Sequence, residues 1–157
     1  MSTGLRRRAA DPTVGTTSAV RFSTPRPARA GAVAVGGFFL CTAGVHVGIV
    51  MADPQFYAPF GDAALFAFVR QAWSDVFMAH PAAWGLAVAL GEALMGALLL
   101  VGGRAARVGW VCVLAFTALL MLFGFGFGFW LWSVPALLVL GALAVRDPAV
   151  WTTKREG

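Results

Sequence analysis

Residues 30–52 read AGAVAVGGFFLCTAGVHVGIVMA, 23 residues without a charged side chain, interrupted chemically only by Thr42 and His46. A helix rises about 1.5 Å per residue and the hydrocarbon core of a bilayer is about 30 Å thick, so about 20 such residues cross it. The stretch predicts a first transmembrane span. A secretory signal peptide is the competing reading, because arginines precede the run and the small residue Ala52 closes it. The apolar region of a signal peptide is only about 7–15 residues long, however, which favours a retained span.

The rest of the chain has the same character. Of 157 residues, 59% are hydrophobic and 12% charged, against about 45–50% and 25% in a soluble domain. Further apolar runs at about 82–103, 108–124 and 129–145 complete an all-α expectation: a four-transmembrane-helix bundle over residues 30–146, with the lipid bilayer as its first partner. Arg104 to Arg107 alone separates the second and third runs, which predicts a tight hairpin of antiparallel helices. Between the third and fourth, Gly124 to Phe129 alternates glycine with phenylalanine. Its glycines weaken a helix and its rings suit a membrane interface, so an outer turn with an aromatic belt is expected, a gate or ligand clamp being the sharper alternative.

Eleven of the twelve basic residues fall in three segments. These are Arg6 to Arg29, the Arg104 and Arg107 pair, and Arg146 with Lys154 and Arg155. They border alternate loops and leave Arg70 alone on the other side, which by the positive-inside rule places both termini in the cytoplasm of a bacterial-type cell membrane. The formal charge of +5 is thereby explained as topology, and no nucleic-acid partner is expected. Residues 1–29, arginines among Ser, Thr, Pro and Ala, read as a disordered basic cytoplasmic tail that seeks anionic lipid. Residues 147–157 form a second, short cytoplasmic tail. Between the first two spans, residues 53–81 are extracytoplasmic and mixed in character. At 100° per residue, Leu65, Phe66, Val69, Ala72, Trp73, Val76 and Phe77 gather opposite Ala67, Arg70, Gln71, Ser74 and Asp75, predicting an amphipathic helix capped by Asp62.

Glu92 is the one acid inside an expected span. A charge at the bilayer centre costs several kcal/mol, so this carboxyl should face protein. The spacing Gly85, Ala89, Glu92, Gly96 and Gly103 puts it on a small-residue stripe that another helix can approach closely. Counted along the helices, it shares the depth of Cys41 and Thr42, with His46 about one turn nearer the outside. Glu92, His46, Thr42 and Cys41 are therefore the candidates for ligand binding or a proton relay, and the blander reading of Glu92 is a polar clamp between helices. A bis-histidine haem site would need a second buried histidine, and His80 lies at the outer boundary. On the other face of the first span, Gly37, Cys41, Gly44 and Gly48 form a second small stripe, expected to pack within the bundle or against a partner, a second copy included. Cys41 and Cys112 differ in depth by roughly 9 Å, too far for a disulfide. No phosphate loop, metal-ligand cluster or nucleophile triad is present in the sequence, and no metal is expected.

The stretch Gly91-Glu92-Ala93-Leu94-Met95-Gly96, running on through apolar residues to Gly102-Gly103-Arg104, resembles the DoxX-like family of small four-helix membrane proteins. In that family the second span similarly begins with a glutamate, passes a glycine and ends in Gly-x-Arg. Glu92, Gly96, Gly102 and Arg104 hold the informative places. The resemblance implies a redox neighbourhood, since the family includes a small subunit of a thiosulfate:quinone oxidoreductase, and it assigns no catalytic residue. Three functions stay open. The first is an accessory or anchoring subunit of a membrane redox assembly, bound to a redox protein partner and holding a quinone or lipid-like ligand near Glu92. The second is a quinone-linked oxidoreductase subunit in its own right, and the third a small transporter or proton conductor. Quinone is the one cofactor that any of them names.

Overall fold

The computed structural model describes residues 27–123 and 127–151. Helix α1 spans Pro27–Ala52, α4 Pro81–Val101, α5 Gly103–Phe123 and α6 Phe127–Arg146. Between α1 and α4 the chain forms a 3₁₀ turn at Pro54–Tyr57, helix α2 at Ala58–Asp62, helix α3 at Ala67–Ala72 and a π turn at Trp73–Phe77. A last turn, α7, covers Pro148–Trp151. The described residues are helix and connecting turns, without a strand. Three of the helices, at Arg29–Ala52, Pro81–Val101 and Gly103–Met121, are long and apolar enough to cross a membrane, and Leu131–Arg146 is a shorter apolar helix. The expected tail at 1–26 and the turn at 124–126 lie outside the described residues.

Helices α1 and α4 make the most extensive pairing in the fold, and glycines set how near they come. A Cβ on Gly96 would stand 2.6 Å from the carbonyl oxygen of Gly36, and one on Gly36 would stand 3.0 Å from that of Gly96. The backbones touch there, as small residues allow in membrane helix pairs. The expected face of α4 is the packing face: Gly85, Ala89, Glu92 and Gly96 are buried, although Gly103 is exposed. On α1 the residues at this contact are not those of the second small stripe. Ala32, Gly36, Phe39 and Ala43 are buried, whereas around Gly37, Gly44 and Gly48 nothing lies within 4 Å of an added Cβ and Cys41 is exposed. Among the described residues it is Gly36, the neighbour of Gly37 in the Gly-Gly pair, that meets Gly96.

The α4–α5 hairpin turns at Gly102 and Gly103, with φ of 87° and 58°, not at Arg104 to Arg107, which lie in the first turns of α5. Only glycine adopts such angles without strain. Arg29 closes this corner: its guanidinium donates to the carbonyls of Leu99, at 3.0 Å, and Leu100, two of the groups a helix C-terminus leaves open. A Cβ on Gly102 would stand 2.9 Å from that guanidinium. The core gathers near this end, where Ala32, Phe39, Met95, Leu99, Trp110, Val113 and Ala144 bury one another. Asp147, in the region expected to be a free tail, is 1% exposed, and its Oδ2 accepts from Trp110 Nε1 at 2.9 Å. The end of α6 is thereby fastened to α5.

The segment between α1 and α4 departs from the single amphipathic helix expected. Asp62 ends α2, and α3 begins at Ala67 with Phe66 ahead of it and no side-chain cap. Asp53 caps instead, accepting from the Gln55 amide at 2.8 Å. The periodicity is real in part, for Val69 is buried while Arg70 and Gln71 are exposed. Leu65 and Phe66 nevertheless stand nearly half exposed, because Ala64 to Phe66 leaves the helix before α3 begins. Both cysteine thiols are free, Cys41 exposed and Cys112 half-buried.

Candidate functional site

Three polar side chains meet where α1, α4 and the intervening segment converge. His46 comes from α1, Tyr57 from the end of the 3₁₀ turn and Glu92 from the middle of α4. His46 Nδ1 lies 2.7 Å from the Tyr57 hydroxyl and Nε2 lies 3.7 Å from Glu92 Oε1. The two rings are stacked, 5.8 Å between centroids and 12° from parallel. Thr42, one turn from His46, lies beside the Glu92 carboxyl and donates to the Phe39 carbonyl at 3.1 Å. Glu92 is 5% exposed and Tyr57 4%. Glu92 Oε2 has no hydrogen-bond partner among the described residues.

Local sequence explains how Tyr57 reaches this point. Asp53 and Pro54 turn the chain sharply out of α1, since proline cannot continue the hydrogen-bond ladder of the helix it follows. Gly85 of α4 then makes room: a Cβ there would stand 2.9 Å from the Tyr57 ring and 2.6 Å from Val50. Trp73 Nε1 fixes the turn from the far side, donating to the Tyr57 carbonyl at 3.0 Å. Burial, and after it the Glu92 carboxylate, raises the Tyr57 phenol above its ordinary range, so it stays a neutral hydroxyl.

Around this group lies a cavity of about 610 Å³. Its roof is the segment between α1 and α4, through Tyr57, Phe60, Ala72, Trp73, Val76 and Phe77. Its walls are Trp84, Val88 and Glu92 of α4 and Phe116, Leu119 and Leu120 of α5, with His46 of α1. The π turn brings Trp73 and Phe77 face to face, centroids 4.0 Å apart and planes 6° from parallel. Trp84 stacks on Phe77 at 6.4 Å and donates through Nε1 to the Val76 carbonyl at 3.0 Å. The result is an apolar, largely aromatic chamber whose ionisable groups among the described residues are a histidine, a tyrosine and a glutamate, the proportion of apolar wall to few polar groups typical of small-molecule sites.

Of the expected site residues, Glu92, His46 and Thr42 come together, while Cys41 stands on the exposed face of α1. Gly96 is the contact with α1, Gly102 the hairpin turn, and Arg104 is exposed. Tyr57 is the member that sequence reasoning missed. Its signals were its being the chain's one tyrosine and its place just after a proline turn at a span end. His80, exposed ahead of α4, is remote from a bis-histidine arrangement. Among the described residues no three His, Cys, Asp or Glu side chains converge as a metal centre. No family model matches the chain, and no curated protein or solved structure does.

Proposed function

We propose that this chain is a four-span cell-membrane protein with both termini in the cytoplasm, related to the DoxX-like proteins. In this reading it is an accessory or anchoring subunit of a membrane redox assembly that holds a quinone or similar lipid-like molecule in the chamber above Glu92. One observation carries the ligand half of the proposal: a 610 Å³ chamber walled by aromatic and aliphatic side chains, its polar groups confined to His46, Tyr57 and Glu92. An apolar body gains about 25 cal/mol per Å² of surface removed from water, and three clustered polar groups fix the orientation of a head. The charge pattern supports the topology, with α6 as the fourth crossing. The redox setting rests on the likeness of residues 91–107 to the family motif.

The chain should therefore co-purify from mild detergent with a redox protein, and mass spectrometry of the same preparation should find a retained quinone or isoprenoid. Replacing Glu92 by Gln should lower the retention of that molecule. If partner, bound molecule and thermal stability are all unchanged by Glu92→Gln, the site has no part in the function.

The order Tyr57–His46–Glu92 favours a second reading, in which the same groups pass a proton between the chamber and the membrane interior. Proteoliposomes that show no Glu92-dependent proton flux would dispose of it.

A further inference from the structure

The chamber has several hydrogen-bond donors in its wall, and both indoles are already engaged. The indole N–H of Trp73 donates to the Tyr57 carbonyl and that of Trp84 to the Val76 carbonyl. Tyr57 and His46 are joined at 2.7 Å. We assign the phenol as donor to Nδ1 on the position of Glu92 beyond the opposite ring nitrogen. Nε2 then carries the imidazole hydrogen and directs it at Glu92 Oε1, 3.7 Å away. The opposite tautomer would face a nitrogen lone pair against carboxylate oxygen. With the carboxyl ionised against the Nε2 hydrogen, what remains is acceptor capacity: the second lone pair of the Tyr57 oxygen, and Glu92 Oε2, which has no partner among the described residues on a side chain more than nine-tenths buried.

We infer that the chamber selects molecules whose head donates hydrogen bonds, a hydroxyl or amine on an apolar body, over the matching carbonyl compounds. Within the reading proposed above, on which this inference rests, the preferred state of a quinone-type ligand is the hydroquinone. A carbonyl head would meet Glu92 acceptor to acceptor, and a buried polar atom left unpaired is costly. A hydroxyl would donate to the open lone pair of Oε2 while its ring lies among Trp73, Phe77 and Trp84. An anionic head is disfavoured by the same carboxylate.

The test uses the full chain in lipid nanodiscs under anaerobic conditions, with three probes sharing one tetramethylbenzene core: durohydroquinone, duroquinone, and the dimethyl ether of the hydroquinone. Binding is measured by calorimetry. Partitioning into lipid is removed by subtracting titrations of protein-free nanodiscs, and Glu92→Gln offers an amide donor where the carboxylate offered acceptors. The expected result is hydroquinone bound at least ~10-fold more tightly than either other probe, the size of effect one hydrogen bond to a charged group gives, with the preference collapsing in Glu92→Gln. The ether arm needs no variant, so the test holds even where Glu92→Gln fails to fold. Equal affinities, or tighter binding of the quinone, would overturn the donor preference and leave the ligand-binding reading standing. Binding of none of the three would overturn that reading as well.

Discussion

Replacing Gly96 by Ala adds one methyl group at the point where α1 and α4 touch. The added Cβ would stand 2.6 Å from the Gly36 carbonyl oxygen and 2.9 Å from Leu40 Cγ, where nonbonded atoms settle at about 3.5 Å or more. The obstructing oxygen belongs to the backbone of a helix, so relief requires separating the two helices by roughly 1 Å, the difference between those distances. Overpacking of this kind costs about 1–3 kcal/mol. Alanine also gains about 1 kcal/mol over glycine in helix propensity, so the control is Gly44→Ala, which takes the same gain on α1 with nothing within 4 Å of the new methyl. Unfolding by SDS titration in mixed micelles, followed by tryptophan fluorescence, should place Gly96→Ala about 1–3 kcal/mol below Gly44→Ala. Glu92 lies one turn from Gly96, so the separation should also widen the 3.7 Å contact to His46 and weaken ligand binding. Gly96→Ala as stable as Gly44→Ala would refute the account of this helix pair.

Trp110→Phe should destabilise the protein by about 1–3 kcal/mol in the same titration, since it takes the indole donor from buried Asp147. Arg29→Ala should cost about 0.5–2 kcal/mol by uncovering the Leu99 and Leu100 carbonyls at the end of α4. Tyr57→Phe should cost about 1 kcal/mol through the lost bond to His46, and it should alter the alkaline limb of stability. A phenol whose folded pKa is raised stabilises the fold fully below its unfolded value, near 10, and loses that contribution as pH climbs through the higher folded value. Thermal melts between pH 8 and about 11 should therefore fall less steeply for Tyr57→Phe than for wild type.

The long apolar helices were legible because the bilayer imposes a length and a composition that few soluble segments meet. Glu92 and His46 were legible for the converse reason: a polar group in such a run has to be met by protein. Which small residue of α1 meets Gly96 was not. Gly36 and Gly37 are adjacent, and only the position of Gly96 across the contact selects Gly36. Tyr57 was hidden for another reason. Its position follows from a proline turn, a glycine opposite and a tryptophan behind, none of which is periodic along the chain. The roof of the chamber shows the same limit: its hydrophobic arc is present in the sequence, yet bends at Ala64 to Phe66 and a π turn at Trp73–Phe77 decide which rings enter the cavity. Asp147 read as a polar tail residue because its burial depends on Trp110, 37 residues earlier.

The claim on which the rest depends is that the chamber holds one hydrophobic molecule. Native mass spectrometry of the chain released from mild detergent, run beside Val88→Trp to fill the cavity wall, tests it most directly. A single adduct of lipid-like mass on the wild-type chain, absent from a Val88→Trp variant with an unchanged helical circular dichroism spectrum, is the result expected. A wild-type chain that carries no such adduct, or a filled variant that keeps it, would contradict the assignment of the site.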